Sequence, residues 1–373
     1  MQSKDPLDLL INTDLKSKLT ELAAVEESDG AFISCYLDAR AGKQACKAFL
    51  NQKSAAIRGS LRGTARFEFE NALGMIHRAL DDSWLPEARG LAVFARGLSG
   101  GRHLTVLHFA AALDNRLVLY RVPEVLPLVA LLQREPAFTL LLAKGEQLQV
   151  MEVELGSVTA RVWANEPHYA GEMHAVANGT GAGERFSAVT GSSHGAFWRS
   201  RKVLVASSSP LLIAGDPEAL PGIADWLPRR AVARLIGSIP VPCEANLDQS
   251  LDIVRNRLAA ICSAEASRLA AALLDDDGLR DDAVLGYRAT IEALSRGETD
   301  AVVIADWDRA GLGLPWEAKI ELCRETLRRD IRVVLADSIS LRSAGGVGCL
   351  RRQPSERTAA SSRISGAGFG LVA

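Results

Sequence analysis

Between Tyr169 and Ser200 the chain sets glycines, histidines, cations and aromatic rings close together. Three of its six histidines, His168, His174 and His194, fall in or beside this stretch. Imidazoles can hold zinc, but this separation matches no usual ligand spacing and no cysteine lies near. Solvated or structural histidines are the plainer reading, and no metal is expected. Arg185 and the run Arg199-Ser-Arg-Lys202, which supplies Arg201 and Lys202, carry charge that suits phosphate. The bland alternative is a solvated basic face. Phe186, Phe197 and Trp198 offer rings that stack on bases or anchor in a core. The stretch shows neither a strand nor a helix period, and long loops inside compact domains are usually functional or disordered. A flexible Gly/Ser insertion is the reading to beat.

The elements that must hold this segment are easier to read. Ahead of it lie a helix over Leu15–Val25, a strand over Ala31–Leu37, and helices over Lys43–Arg58 and Arg66–Leu80, the second with Thr64 as N-cap. Strands over Gly90–Ala95, Leu104–Phe109 and Arg116–Arg121 and a helix over Val125–Gln133 complete a first domain, 1–135. A central domain, 136–245, opens with strands over Ala137–Ala143, Leu148–Leu155 and Val158–Trp163. This is an alternating meander that predicts one solvated face. After the long segment come a strand over Pro210–Ala214, a helix with Asp216 as N-cap and Pro217 in its first position, and a strand over Arg234–Ile239.

The last domain, 246–350, begins with a long helix capped by Asn246-Leu-Asp-Gln249, a variant capping box. Asp275-Asp-Asp-Gly278 breaks it from a helix over Asp282–Arg296, striped by Val284, Tyr287, Ile291 and Leu294 and ended by Gly297. Strand 301–304, helix 315–328 and strand 331–335 follow, then Ala344-Gly-Gly-Val-Gly348. That glycine run lacks the Gly-Lys-Ser/Thr of a phosphate loop, so it reads as a tight turn into a final strand, and no nucleotide or other cofactor is expected. The tail, 351–373, has little to bury and is expected to be disordered. The fold class is therefore mixed α/β: three consecutive domains, each a small mixed sheet packed with helices.

Bulk numbers narrow the function. A net charge of −2 argues against nucleic-acid binding by the whole surface while leaving room for local basic patches. No apolar run approaches the roughly 20 residues of a membrane span, and Met1-Gln-Ser-Lys-Asp-Pro lacks a signal-peptide pattern. The six scattered cysteines form no Cys-x-x-Cys pair, which fits a reducing cytoplasm and neither disulfides nor a zinc knuckle.

Several blocks carry a resemblance: Phe32-Ile-Ser-Cys-Tyr-Leu37, Gly90-Leu-Ala-Val-Phe-Ala95, Leu131 to Lys144, Glu292 to Ile304 and Ser343 to Gly348. With three units in this order, the chain resembles the archaeal and eukaryotic class I peptide-chain release factors and their relative Pelota, in particular the bacterial branch of that superfamily. The resemblance implies a ribosome-associated protein whose partners are the ribosome and tRNA, with a protein partner on the C-terminal domain and no membrane. It also implies a central loop that promotes hydrolysis of the peptidyl-tRNA ester, in ribosome rescue or quality control. The family loop is Gly-Gly-Gln. Its glycines bring main chain close to RNA, and a backbone N–H and a small amide orient water and stabilise the oxyanion.

Here the pattern departs. Aligned on Arg185-Phe186 the motif positions hold Gly179-Thr180-Gly181; aligned on the tightest glycine cluster they hold Ala182-Gly183-Glu184. Gly179, Gly181 and Gly183 would supply backbone reach, Glu184 would orient water, and Arg185 would hold phosphate. Gly59-Ser60-Leu61-Arg62 stands where the family's Asn-Ile-Lys-Ser codon-reading motif belongs, so stop-codon dependence is not expected. Two alternatives stay open: a non-catalytic RNA- or protein-binding module that kept the fold, and an unrelated metal hydrolase using the histidine-bearing loop.

Overall fold

The run Phe32-Ile-Ser-Cys-Tyr-Leu37, apolar but for Ser34, makes a strand with apolar residues on both sides, and such a strand belongs at the centre of a sheet. In a computed structural model, which describes residues 15–27, 32–98, 101–144, 147–155, 157–165, 204, 209–217, 220, 223, 227–274, 283–305 and 314–351, it does so. After helix α1 (Leu15–Ala24), strands β1 (Phe32–Asp38), β2 (Gly90–Arg96), β3 (His103–Phe109) and β4 (Arg116–Tyr120) form an antiparallel sheet in the order β3-β2-β1-β4. Ile33, Cys35 and Leu37 pack with Leu91, Val93 and Ala95 against Leu50 of α2 (Lys43–Ser60) and Phe69, Leu73 and Ile76 of α3 (Gly63–Asp82). The alternate residues Phe32, Ser34 and Tyr36 are buried on the other face, where the Tyr36 and Phe94 rings meet edge-to-face at 5.7 Å. Helix α4 (Leu126–Arg134) ends this part. The helix α3 starts at Gly63 and not after Thr64: glycine at φ 56° turns the chain, and Arg62 occupies the cap without a side-chain bond.

The middle sheet has the order β7-β6-β5-β8-β9, from β5 (Phe138–Lys144), β6 (Gln147–Glu154), β7 (Ser157–Asn165), β8 (Leu211–Gly215) and β9 (Leu235–Pro240), with the short helix α5 (Arg229–Val232) before β9. The expected antiparallel meander β5-β6-β7 is present, and β8 and β9 add in parallel. The expected solvated face is absent from β5 and β6. Leu141, Val150 and Ile213 lie in one core, while Leu140, Leu142, Met151 and Leu212 are also buried. Joining a parallel strand makes β5 central, and a central strand covered on both sides needs two apolar stripes.

The capping box forms as expected: the Asn246 N–H donates to Gln249 Oε1 at 2.8 Å and the Gln249 N–H to Asn246 Oδ1 at 2.9 Å. It opens helix α6 (Leu247–Ala272). Strands β10 (Ala283–Leu285), β11 (Thr299–Ala305), β12 (Arg332–Ala336) and β13 (Val347–Arg351) make the last sheet, ordered β10-β13-β11-β12, with helices α7 (Tyr287–Ser295), α8 (Trp316–Arg328) and α9 (Ile339–Ser343). The helix expected over Asp282–Arg296 is shorter. Val284 pairs with Cys349 in β10, and Gly286 at φ 89° separates that strand from α7, so the first part of the apolar stripe serves a sheet edge. Gly297 at φ 70° ends α7 as expected, and Gly345 and Gly346 turn the chain into β13, which extends through Arg351.

The described residues fall into two compact units. One joins those of Met1–Arg134 to those of Cys262–Thr358, and the other holds those of Glu135–Ile261. The fold is mixed α/β, and no described helix is long and apolar enough to cross a membrane.

Candidate functional site

The candidate segment is mounted on the middle sheet. Asn165, the last residue of β7, pairs with Gln147, which pairs in turn with Lys144 at the carboxyl end of β5. Leu211, the first residue of β8, pairs with Thr139 at the opposite end of β5. The chain therefore leaves the sheet at one end and re-enters at the other, with β6 and β5 lying between the two strands it joins. Gly179, Gly181, Gly183, Glu184, Arg185, Phe186, Arg199, Arg201 and Lys202 lie outside the described residues, as do His168, His174 and His194.

Both attachment points are built. At the re-entry, the Thr139 N–H donates to the Pro210 carbonyl at 2.8 Å, and buried Leu204 enters the middle core. The Arg234 guanidinium donates to the carbonyls of Leu204 and Ser209. Burial holds Arg234 below its ordinary pKa, with the charge of Glu152 opposing. At the exit, the carboxyl ends of β5, β7, β8 and β9 point the same way, the end at which open α/β sheets place ligands. Lys144, Asp216 and Cys243 gather there. The Cys243 thiol donates to Asp216 Oδ2 at 3.0 Å, and that hydrogen bond, then burial, pushes its pKa up, with Lys144 opposing. A thiol held protonated is a poor nucleophile. Lys144 Nζ is buried and has no hydrogen-bond partner among the described residues. Gly215 lets β8 close on β5: a Cβ there would stand 2.2 Å from the Ala143 carbonyl oxygen. This end can offer an ammonium and a carboxylate beside the start of the segment.

Sequence reasoning missed this cluster. Asp216 is legible as a cap, and its carbonyl does accept from the Leu220 N–H at 3.2 Å. Cys243 joins it only because β9 lies beside β8, which no local pattern announces.

A second polar cluster lies in the other unit. The Glu124 side chain is fully buried; its Oε1 accepts from Arg116 at 2.7 Å and from Trp316 Nε1 at 3.3 Å, while Oε2 has no partner among the described residues. Its main chain is fixed as well, since Tyr36 Oη donates to its carbonyl and its N–H donates to Ser34 Oγ at 2.9 Å. Desolvation raises the Glu124 pKa, with Arg116 the main opposing influence. Perturbed carboxylates often mark active sites, but this one is sealed from solvent and touches α8. It acts as a tether. Gln133 strengthens that tether by donating to the Leu335 carbonyl at 2.7 Å and accepting from the Leu335 N–H at 2.9 Å. Arg324 and Arg328 of α8 donate to the Ala23 and Val25 carbonyls at the end of α1, the Arg328 Nε bond to Ala23 being 2.7 Å. Among the described residues no three His, Cys, Asp or Glu side chains meet as a metal site requires.

No protein-family model and no curated protein sequence matches the chain. Among solved structures, it is similar to an archaeal translation termination factor, aRF1, at 14% identity and a TM-score of 0.26, over 92% of this chain and 99% of that one. It is similar to Pelota from Archaeoglobus fulgidus at 14% identity and a TM-score of 0.31, over 92% and 93% of the two chains. It is also similar to Dom34 from S. cerevisiae, a translation termination-like factor involved in RNA quality control pathways and interacting with Hbs1. That match has 9% identity and a TM-score of 0.39 over 92% and 94%.

Proposed function

We propose that this chain is a release-factor-like protein that works at the ribosome in rescue or quality control, with the segment from Tyr169 to Ser200 presented to the ester of peptidyl-tRNA. One observation carries the reading. That glycine-rich segment belongs to the connection between β7 and β8, whose described ends, Asn165 and Leu211, are paired in a sheet with central strands buried on both faces. The sequence blocks that resemble release factors support it, because they fall on paired strands: Phe32–Leu37 in β1, Gly90–Ala95 in β2, the apolar run before Lys144 in β5 and Ala301–Ile304 in β11.

In this reading the domains are 1–135, 136–245 and 246–350. Gly179, Gly181 and Gly183 let main chain approach RNA, and Glu184 orients a water against the ester as a general base. Arg185, Arg199, Arg201 and Lys202 meet phosphate, and Phe186 stacks on a base. The ribosome and tRNA are the RNA partners, a protein partner takes the C-terminal domain, and the work is done in the cytoplasm.

A second reading is favoured by one observation: neither register of the glycine segment contains the glutamine of the family loop. The chain would then be a non-catalytic RNA- or protein-binding module. Ribosomes carrying labelled peptidyl-tRNA, incubated with purified protein, separate the two. Peptide release that falls at least about tenfold in Glu184→Ala, a loss of about 1.4 kcal/mol in transition-state stabilisation, supports hydrolysis. Salt-sensitive co-sedimentation with no release supports the binding module, and neither release nor co-sedimentation removes both.

A further inference from the structure

Strands β11 and β12 run parallel, and beyond Ala336, at the carboxyl end of β12, the chain passes through Ser338 into α9. Helix α6 is packed alongside: Ala266, Ala270 and Leu273 share a core with Val334, Ala336 and Leu341. Between the last turns of α6 and the start of α9 lies an open cavity of about 660 Å³, within one compact unit. That volume suits a small molecule, and the carboxyl ends of parallel strands are where open α/β sheets place ligands. Ala271, Ala272 and Leu274 give the cavity an apolar wall.

Its polar side chains can all donate hydrogen bonds. Ser267, Arg268, Ser338 and Ser340 line it, and no carboxylate is among the described lining residues. The Ser338 hydroxyl oxygen accepts from the Leu341 N–H at 3.1 Å, which leaves its O–H to donate. Ser267 and Ser340 form no side-chain hydrogen bond among the described residues. Arg268 donates through Nη2 to Glu265 at 3.0 Å, and Glu265 also faces Arg332 at 4.0 Å, so one carboxylate is shared by two guanidiniums. The other N–H groups of Arg268 are open to a ligand. Three hydroxyls and a guanidinium match the three terminal oxygens of a phosphomonoester. A carboxylate offers only two oxygens. RNA backbone phosphates are held by several cations, whereas Arg268 is the one cation among the described lining residues.

We propose that the cavity between α6 and α9 binds a small phosphomonoester, its phosphoryl group held by Arg268 and the hydroxyls of Ser267, Ser338 and Ser340, its apolar part against Ala271, Ala272 and Leu274. The negative end of the α6 dipole opposes an anion, so a dissociation constant on the order of 0.1–1 mM is expected. The site stands independently of the ribosomal reading, since it uses none of the residues between Tyr169 and Ser200. The test is a titration of the full chain with phenyl phosphate, followed by saturation-transfer difference NMR, with benzoate as the carboxylate control. Phenyl phosphate should bind about fivefold or more tightly than benzoate. Arg268→Ala should weaken it about tenfold, the loss of a charge-assisted contact, and Ser340→Ala about threefold. Ala271→Glu, which sets a carboxylate in the cavity, should abolish binding. Arg268, Ala271 and Ser340 are exposed, so the unfolding midpoint should hardly move and serves as the folding control. No binding of phenyl phosphate, equal binding of benzoate, or an affinity that Arg268→Ala and Ala271→Glu leave unchanged overturns the proposal. So does a uridine-rich RNA oligonucleotide that binds, and is weakened by Arg268→Ala, where phenyl phosphate does not bind.

Discussion

The cluster around Glu124 and the cluster around Asp216 contain similar chemistry, a carboxylate beside a cation, and differ in their access to water. Glu124 has no solvent exposure, and its partners come from β1, β4 and α8. Asp216 is only half-buried, its thiol partner Cys243 is exposed, and both lie at the carboxyl end of the sheet that mounts the glycine-rich segment. The difference separates structure from function more cleanly than the perturbed pKa values do. A sealed carboxylate can join two parts of a unit but cannot meet a substrate, whereas one at an open strand end can.

Substitution should expose that contrast. Glu124→Ala should cost the most, about 2–4 kcal/mol in denaturant unfolding, because it leaves Arg116 and Trp316 without their buried acceptor. Asp216→Ala should cost less than about 1 kcal/mol. Equal losses at the two sites would break the distinction. Gln133→Ala, which removes both hydrogen bonds to Leu335, should cost about 1–3 kcal/mol and leave ribosome binding unchanged.

The tether also has a pH signature. Desolvation raises the folded pKa of Glu124 above its unfolded value, so its folded form binds the proton more tightly. Its contribution therefore opposes folding above that raised pKa and is relieved as pH falls through it towards the ordinary carboxylate value. Relative to wild type, Glu124→Gln should lose that gain on mild acidification; an unchanged stability–pH slope would show that burial does not govern the group. The smallest effect is expected at the open cluster. The Asp216 hydrogen bond holds the Cys243 thiol protonated, so Asp216→Asn should lower the thiol pKa and speed alkylation a few-fold at neutral pH. An unchanged or slower reaction would show that the Asp216 hydrogen bond does not govern the thiol.

How much of this was legible in the sequence depended on range. Asn246 and Gln249, three residues apart, announce their reciprocal cap, and Gly297 and the Gly345-Gly346 turn sit where positive φ is needed. Val284 misleads: its spacing suits a helix with Tyr287 and Ile291, but pairing with Cys349, far along the chain, makes it a strand. Glu124 gives no local sign of its role, since Trp316 lies 192 residues away. The candidate segment was legible by its lack of any period, and the sheet adds where its ends are fixed. The geometry of Gly179 to Phe186 lies outside the described residues.

The central claim is that this segment touches peptidyl-tRNA, and a photocrosslinking amino acid placed at Ala182 tests it most directly. With ribosomes holding peptidyl-tRNA in the peptidyl site, the account predicts a crosslink to the peptide-bearing 3′ end of that tRNA, lost when the tRNA is removed. Crosslinks confined to the protein's own chain, with none to tRNA, would contradict it.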